Sequence, residues 1–415
     1  MKSVRSDAHF LRNPFDTHLP AATLRDSPVA AMIVRRIGLS AMKIFAPKES
    51  DPIETRAALD PAAVKKLVGL GAEVIVESGI GARCDHPDSA YAEVGAQIAT
   101  DHPAALATAD LVVRVRKPPV EEVAILKSGA IHLSFLDPFH ETDLIAKFAS
   151  QGVSAISLEM IPRTTLAQKM DAISSQANLA GYVAVILAAN RMSTIFPMMM
   201  TPAGTISPAK VFVLGIGVAG LQAIATAKRL GARVTAFDVR PEALEQAESL
   251  GAKALRIDLG DTGKTDQGYA KELTPEQLAK QIAAQAKVCA ESDVVITTAK
   301  VFGRKPPILI KADVVAGMKP GSLIVDLAAE TGGNVEGIVP GEEVVSANGV
   351  RLIGLANYEG HVAKHASQVL AANFANMIEH FWDKEAKRFA IRPGDEIQKG
   401  CLITHGGAIV HERFR

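Results

Sequence analysis

VFVLGIGVAGLQAIATAKRLGARVTAFDVR, residues 211–240, decides how the chain is read. Four apolar residues run into Gly215, Gly217 and Gly220. A helical pattern that opens at Val218 follows, and a second apolar run ends at Asp238. Strand, G-x-G-x-x-G loop, helix, strand and acid come in the order of a dinucleotide-binding βαβ unit. Each glycine has a physical task. The first permits the tight turn, the second lets backbone approach a pyrophosphate, and the third lets helix and strand pack closely. The helix N-terminus offers free N–H groups and partial positive charge to phosphates. Asp238, 18 residues after Gly220, is placed to accept hydrogen bonds from ribose hydroxyls. A carboxylate there repels a 2′-phosphate, which favours NAD over NADP; Arg240, two residues on, works against that preference. The alternative, a tight turn holding no ligand, leaves Asp238 unexplained.

Working outward, the pattern alternates. Short apolar runs at 43–45, 73–77, 111–115, 130–136 and 153–157 read as strands, with helical spacing between them. A long helical stretch spans about 166–191. A second series of strands follows at 211–214, 233–237, 294–297, 322–326 and 351–354. Between them Pro275–Glu291 reads as a helix, opened by Thr274 and Gln277 as a capping box. Another long helix covers about 362–381, and the tail 388–410 reads as short strands. Such alternation predicts parallel sheets with crossover helices. The expected fold is α/β: two Rossmann-like, doubly wound parallel-sheet domains joined by long helices, with a ligand cleft between them. The first domain takes residues 42–173 and 364–415, and the second, with the dinucleotide site, 174–363.

Composition narrows the classes. Of 415 residues, 48% are apolar, 5% aromatic and 22% charged, which suits parallel α/β architecture. Lys plus Arg and Asp plus Glu each total 45, so net charge is zero and broad attraction to nucleic acid or anionic lipid is not expected. Cys84, Cys289 and Cys401 stand far apart, without disulfide, redox or metal spacing; a reducing cytosol is expected. His361 and His365 are four apart, but no third ligand is identifiable, so two surface histidines are expected and no metal. No apolar run approaches the roughly 18–20 residues of a membrane helix. Met198–Met200 reads equally as core filling or as a soft contact surface. Residues 1–41 mix Arg with Asp7, Asp16 and Asp26 and lack the apolar core of a signal peptide. They are expected to be a disordered extension or a misplaced start.

The stretch 163–178 carries the second signal. Gln168, Asp171, Ser174 (or Ser175) and Asn178 recur every three or four residues, one polar stripe on a helix. Met170, Ile173, Ala177, Ala180 and Ala184 form an apolar stripe. The polar stripe is either a solvated face or a row of hydrogen-bonding groups lining the cleft.

From Met42 to Val410 the chain resembles the NAD(H)-binding domain I of proton-translocating transhydrogenases. The likeness lies in IPRTTLAQKMDAISSQANLAGY (161–182), FPMMMTPAGTISPAKVFVLGIGVAGLQAIATAKRLGA (196–232), QGYAKE (267–272) and MKPGSLIVDLAAETGGN (318–334). The resemblance implies nicotinamide-side contacts from Arg163, Gln168, Asp171 and Ser174. It also implies a nucleotide-lining Lys300 and a mobile loop around Gly268 and Tyr269 that closes over the nucleotide. It implies NADP(H) on a partner beta subunit, membrane-spanning subunits that move protons, and a homodimer. The chain would then be cytoplasmic and peripheral to the inner membrane, held there by its partners. Two departures stand out: Leu166 replaces a frequent Arg, and Glu359-Gly360-His361 replaces an expected Pro-Ser-Arg.

Alanine dehydrogenases share the fold and form the alternative. That family uses a Lys and a His in its first domain for keto-acid binding and proton transfer. RVRKPP and HLSFLDP place Arg116 and Asp137 at those positions. Arg stays protonated near neutral pH and Asp is normally ionised, so neither suits the task. Direct hydride transfer between two nicotinamides needs no general acid or base; it needs the rings held face to face with water excluded. A catalytically silent NAD-binding module is the third reading.

Overall fold

The computed structural model describes residues 41–258, 260 and 273–415. The expectations for the leader and for the loop at Gly268 and Tyr269 lie outside the described residues.

The first sheet contains β1 (Lys43–Ala46), β2 (Glu73–Glu77), β3 (Gln97–Ala99), β4 (Leu111–Val113), β5 (Ile131–Ser134) and β6 (Ser154–Ser157). All pairings are parallel, in the order β3-β2-β1-β4-β5-β6. Chain order reverses between β1 and β4, which makes the carboxyl ends there a switch point. Helix Pro61–Gly69 shows how local sequence sets such units. Asp60 caps it by accepting from Ala63 N–H, Pro61 starts it, and Val64 and Leu67 enter the core.

After a hairpin of β7 (Met199–Thr201) and β8 (Gly204–Ile206), the second sheet begins with β9 (Lys210–Leu214) and β10 (Arg233–Phe237). It continues with β11 (Lys253–Ala254), β12 (Val294–Thr297), β13 (Leu323–Asp326), β14 (Glu343–Val345) and β15 (Arg351–Ile353). The order is β11-β10-β9-β12-β13-β15-β14, with only β14 antiparallel. Chain order reverses between β9 and β12, where Val213 pairs with Ile296. The buried VFVL of β9 is continuously apolar because helices cover both faces of the sheet. The two parallel-sheet domains match the expected α/β class.

Among the described residues, three apolar cores follow. One joins Met42–Ala172 to Leu370–Ile403 around the first sheet. The other two flank the second sheet, one against Ala180–Ala188 and Tyr358, the other against Cys289, Leu309 and Met318. Two long helices connect the sheets: a linking helix, Ala172–Arg191, and a returning helix, Ala363–His380.

The linking helix corrects two expectations. It starts at Ala172 rather than near Leu166, because Asp171 leaves helical geometry and caps it, accepting from Ser174 N–H at 2.9 Å. Gln168 therefore sits on a separate 3-10 turn, Gln168–Met170, and the polar stripe is not one helix face. The helix also has 20 residues and a mean hydropathy of 1.4, enough by length and composition to cross a membrane. Its apolar surface is wide because it packs on several neighbours, among them the returning helix and the helix of the glycine loop. Small residues permit this: a Cβ on Gly181 would lie 2.1 Å from the Ala219 carbonyl oxygen.

Candidate functional site

The glycine loop sits at the carboxyl end of β9. Gly215 has φ +92, a left-handed conformation that an L side chain rarely adopts. A Cβ on Gly220 would stand 2.0 Å from the Gly215 carbonyl oxygen, so a glycine is required where helix Val218–Arg229 folds onto the loop. Among the described residues nothing lies within 4 Å of a Cβ built on Gly217. Gly217 is the N-cap of the helix, and among the described residues no side-chain cap hydrogen bond meets that end. Bare backbone and free donors fit a pyrophosphate.

Asp238 follows β10 and meets the loop. Its Oδ2 accepts from Ile216 N–H at 2.7 Å and from Arg240 Nη2 at 2.9 Å. Its Oδ1 accepts from the backbone N–H and Nε of Arg240, both at 2.9 Å. Arg240 Nη2 also donates to the Ile216 carbonyl at 3.0 Å. Asp238 and Arg240, read from sequence as opposing influences, are one ion pair.

The segment after β12 closes the loop from the other side of the switch point. Thr298 Oγ1 donates to the Gly215 carbonyl at 2.9 Å, and exposed Lys300 follows two residues later. Buried Asn334 holds this segment: it accepts from Ala299 N–H at 3.1 Å and donates to the carbonyls of Ala299 and Pro307, both at 2.9 Å. Asp326 in turn accepts from Asn334 N–H at 2.6 Å, and burial pushes its carboxyl above the ordinary range. Sequence reasoning placed Thr298 in the segment that leads to Lys300 but missed Asp326 and Asn334. The stretch LIVDLAAETGGN contains both, but nothing in the spacing says that Asn334 folds back onto Ala299.

At the start of the linking helix, Ser174 Oγ donates to Asp171 Oδ2 at 2.6 Å. Asp171 and Ser174 are thus brought together, while Arg163 and Gln168 stand on the segment before them, both exposed. Gln176, one turn on, is buried and outside the expected set; it donates to the Ala366 carbonyl and accepts from Arg56 at 3.0 Å.

The carboxyl edge of the first sheet carries dense charge. Arg56 donates from Nε and Nη2 to the two oxygens of Glu54 at 2.8 and 2.7 Å, and from Nη1 to Glu359 at 2.7 Å. Arg116 donates to Glu54 at 2.8 Å and stands 3.5 Å from Asp51 and 3.8 Å from Glu330 of the second domain. Burial pushes the Glu54 carboxyl up, but the hydrogen bonds and charge of Arg56, joined by Arg116, outweigh it and hold it below the usual range. Glu49 accepts from Val115 N–H at 2.6 Å; burial raises its carboxyl to about 7 against the pull of Arg114. Asp137 adopts φ +52, its N–H bound to Glu159 at 2.7 Å, and its carboxylate engages His140 at 2.7 Å and Lys117 at 3.5 Å. Next to it, the Phe139 ring lies 5.1 Å from Phe302, so the two domains also touch through an edge-to-face aromatic pair. Each guanidinium of the Arg56–Arg116 cluster faces a carboxylate.

A cavity of about 520 Å³ lies at the opposite, amino edge of the first sheet, beside Met42, Asp110, Ser154, Arg388 and His405. Among the described residues, none of the expected site residues lines it. Met198, Met199 and Met200 are exposed on and beside the β7–β8 hairpin, which corrects the core-filling alternative.

The profiles of the alanine dehydrogenase/PNT N-terminal and C-terminal domains match residues 45–180 and 184–412. In Rhodospirillum rubrum the alpha subunit of NAD(P) transhydrogenase is divided, and its first piece is 45% identical to this chain over 377 residues, 89% of this chain and 98% of that protein. An alanine dehydrogenase of Halomonas elongata is 29% identical over 376 residues, 89% of this chain and 95% of that one. Among solved structures, a transhydrogenase from Sinorhizobium meliloti superposes with a TM-score of 0.80 at 43% identity, covering 89% of this chain and all of that one. An L-alanine dehydrogenase gives 0.72 at 26% identity, covering 90% and 98%. The chain belongs to the alanine dehydrogenase/PNT family, and within it to the kind of the NAD(P) transhydrogenase alpha subunits.

Proposed function

We propose that the chain is the NAD(H)-binding subunit of a proton-translocating transhydrogenase. It receives or donates hydride directly between its own NAD⁺/NADH and NADPH/NADP⁺ held by a partner beta subunit. The observation that carries this reading is the likeness to nearly the whole first piece of a divided transhydrogenase alpha subunit, together with Arg116 and Asp137 where an amino-acid dehydrogenase needs Lys and His. Both residues are tied into ion pairs, which supports a site without general acid–base work.

The glycine loop (Gly215, Gly217, Val218, Gly220) would take the pyrophosphate, with Asp238 and Arg240 at the ribose and Lys300 beside the loop. Arg163, Gln168, Asp171 and Ser174 would position the nicotinamide, and Gly268 and Tyr269 would belong to a closing loop. The bound dinucleotide supplies the hydride chemistry. The chain's role is to hold its ring at contact distance from the partner's and to exclude water. Re/Si stereospecificity, proton translocation by membrane subunits and peripheral location belong to the same reading. So does the division into 42–173 plus 364–415 and 174–363, which the separate cores favour. A homodimer would cover the exposed methionines of the β7–β8 hairpin.

The test mixes the purified chain with the NADP(H)-binding soluble domain from the same genome and follows hydride transfer from NADPH to an NAD analogue of distinct absorbance. Transfer that requires both proteins is expected, with no turnover of alanine plus NAD⁺ by the chain alone. Alanine turnover would make it a dehydrogenase. NADH binding with neither activity would make it a silent module.

A further inference from the structure

We infer that Arg240 is a built-in competitor for the adenosine ribose. Its guanidinium holds the acceptor positions of Asp238 that a dinucleotide must take, and the nucleotide enters by exchange. The inference rests on the reading of the glycine loop and Asp238 as the NAD(H) site.

An ionised carboxylate has about four acceptor positions. At Asp238 four donors of the chain itself meet them. Two are backbone N–H groups, of Ile216 and Arg240, fixed by the loop and by the turn into helix Pro241–Ser249. The other two are Nε and Nη2 of one side chain. A ribose diol brings two O–H donors, the same number that the guanidinium can give up. Arg240 precedes Pro241, which restricts its backbone to extended geometry, here φ −89 and ψ 120. The backbone is therefore held, and exchange at Asp238 is a movement of the side chain. Its exposure favours this: the Arg240 side chain is 23% accessible and that of Asp238 9%. The same guanidinium bonds the Ile216 carbonyl, so its departure also opens the seam between loop and strand end.

The exchange has a cost in apparent affinity. A site competent for only a fraction of the time binds more weakly by that fraction. In return, the tethered guanidinium keeps the Asp238 carboxylate satisfied in the empty site. The displaced cation stays tethered near the ribose, where it offsets the repulsion between Asp238 and a 2′-phosphate.

The experiment is a set of binding titrations on the full chain, read by NADH fluorescence, with 5′-AMP and reduced nicotinamide mononucleotide as competitors. Arg240→Ala and the stem-preserving Arg240→Met are compared with Asp238→Asn, each checked by thermal melting. If the guanidinium holds Asp238 for about nine parts in ten, both arginine variants bind NADH and 5′-AMP roughly tenfold more tightly. The mononucleotide, which lacks the adenosine ribose, is unaffected, and NADPH gains less than NADH. NADH affinity that is unchanged or weaker in both folded arginine variants overturns the inference. An Asp238→Asn variant that binds NADH as the wild type does overturns the site reading beneath it.

Discussion

Arg56→Met tests the charge cluster that ties the first sheet to the second. Arg56 donates four hydrogen bonds to three side chains: Glu54, Gln176 of the linking helix, and Glu359 on the turn before the returning helix. Its side chain is 5% exposed and that of Glu54 fully buried. Removing one partner of a buried ion pair costs roughly 3–5 kcal/mol, because the other charge stays behind. Glu54 keeps Arg116 at 2.8 Å, and Glu359, 21% exposed, can reach water, so the lower end applies. At roughly 2–4 °C per kcal/mol for domains of this size, the melting temperature should fall about 6–12 °C. The pH dependence has a fixed sign. The depressed Glu54 carboxyl gives stability that is present above its unfolded value of 4.5 and lost as pH falls through the lower folded value. The gap between wild type and variant should therefore narrow in acid. Thermal melts and urea titrations at about pH 7.5 and about pH 4 would measure this, with Trp382, the sole tryptophan, reporting the first-sheet core by fluorescence. A change under about 2 °C near neutral pH, or a gap that widens in acid, would refute the reasoning.

Three further outcomes are expected. Gly220→Ala places a methyl 2.0 Å from the Gly215 carbonyl oxygen, a backbone clash; it should cost roughly 1–3 kcal/mol in melts and weaken NADH binding more than tenfold in titrations. Glu49→Gln removes a carboxyl raised to about 7 from 4.5, whose contribution is full below pH 4.5 and lost as pH rises through 7. Urea melts should show the variant gaining on wild type by up to about 3 kcal/mol across that window, and a constant difference would contradict the assignment. Met200→Asp puts a charge on a residue 78% exposed; light scattering should show loss of the proposed dimer with an unchanged melt of the first-sheet core, whereas an intact dimer would place the interface elsewhere.

The parallel architecture was legible because both periodicities are strong. VFVL, RVTAF and VVIT are short apolar runs ended by turn residues, and each forms a strand within a residue of its expected ends. The capping box at Thr274 and Gln277 was legible for the same local reason. The start of the linking helix was not. The spacing of Gln168, Asp171 and Ser174 fits one helix, but Asp171 prefers to bond the backbone ahead of it and so caps instead of continuing. The β7–β8 hairpin was missed because its exposed Met–Met–Thr and Gly–Thr–Ile strands lack polar alternation. Long-range polar contacts were invisible by nature. That Glu359 meets Arg56, 303 positions earlier, depends on how the returning chain crosses the first sheet, and no periodicity encodes it.

The same cluster bears on the choice between hydride acceptors. A keto acid needs a free cation for its carboxylate and a nearby group that gives or takes a proton near neutral pH. The carboxyl edge of the first sheet has cations, but Arg56 faces Glu54 and Glu359, and Arg116 faces Glu54, Asp51 and Glu330. An incoming carboxylate would have to displace an anion already held there. The candidate proton carriers at this edge are also engaged: the Glu49 carboxyl accepts from the backbone N–H groups of Val115 and Arg116, and the His140 ring is held by Asp137 at 2.7 Å. In the second sheet the loop backbone at Gly217 has nothing within 4 Å of a built Cβ among the described residues. An edge satisfied by its own ions beside the glycine loop agrees with the function proposed above, in which the chain binds one dinucleotide and meets its second substrate on another protein. On that reading the departure at Glu359 would have a physical meaning, since its ion pair with Arg56 adds an anion that a small acid would have to displace.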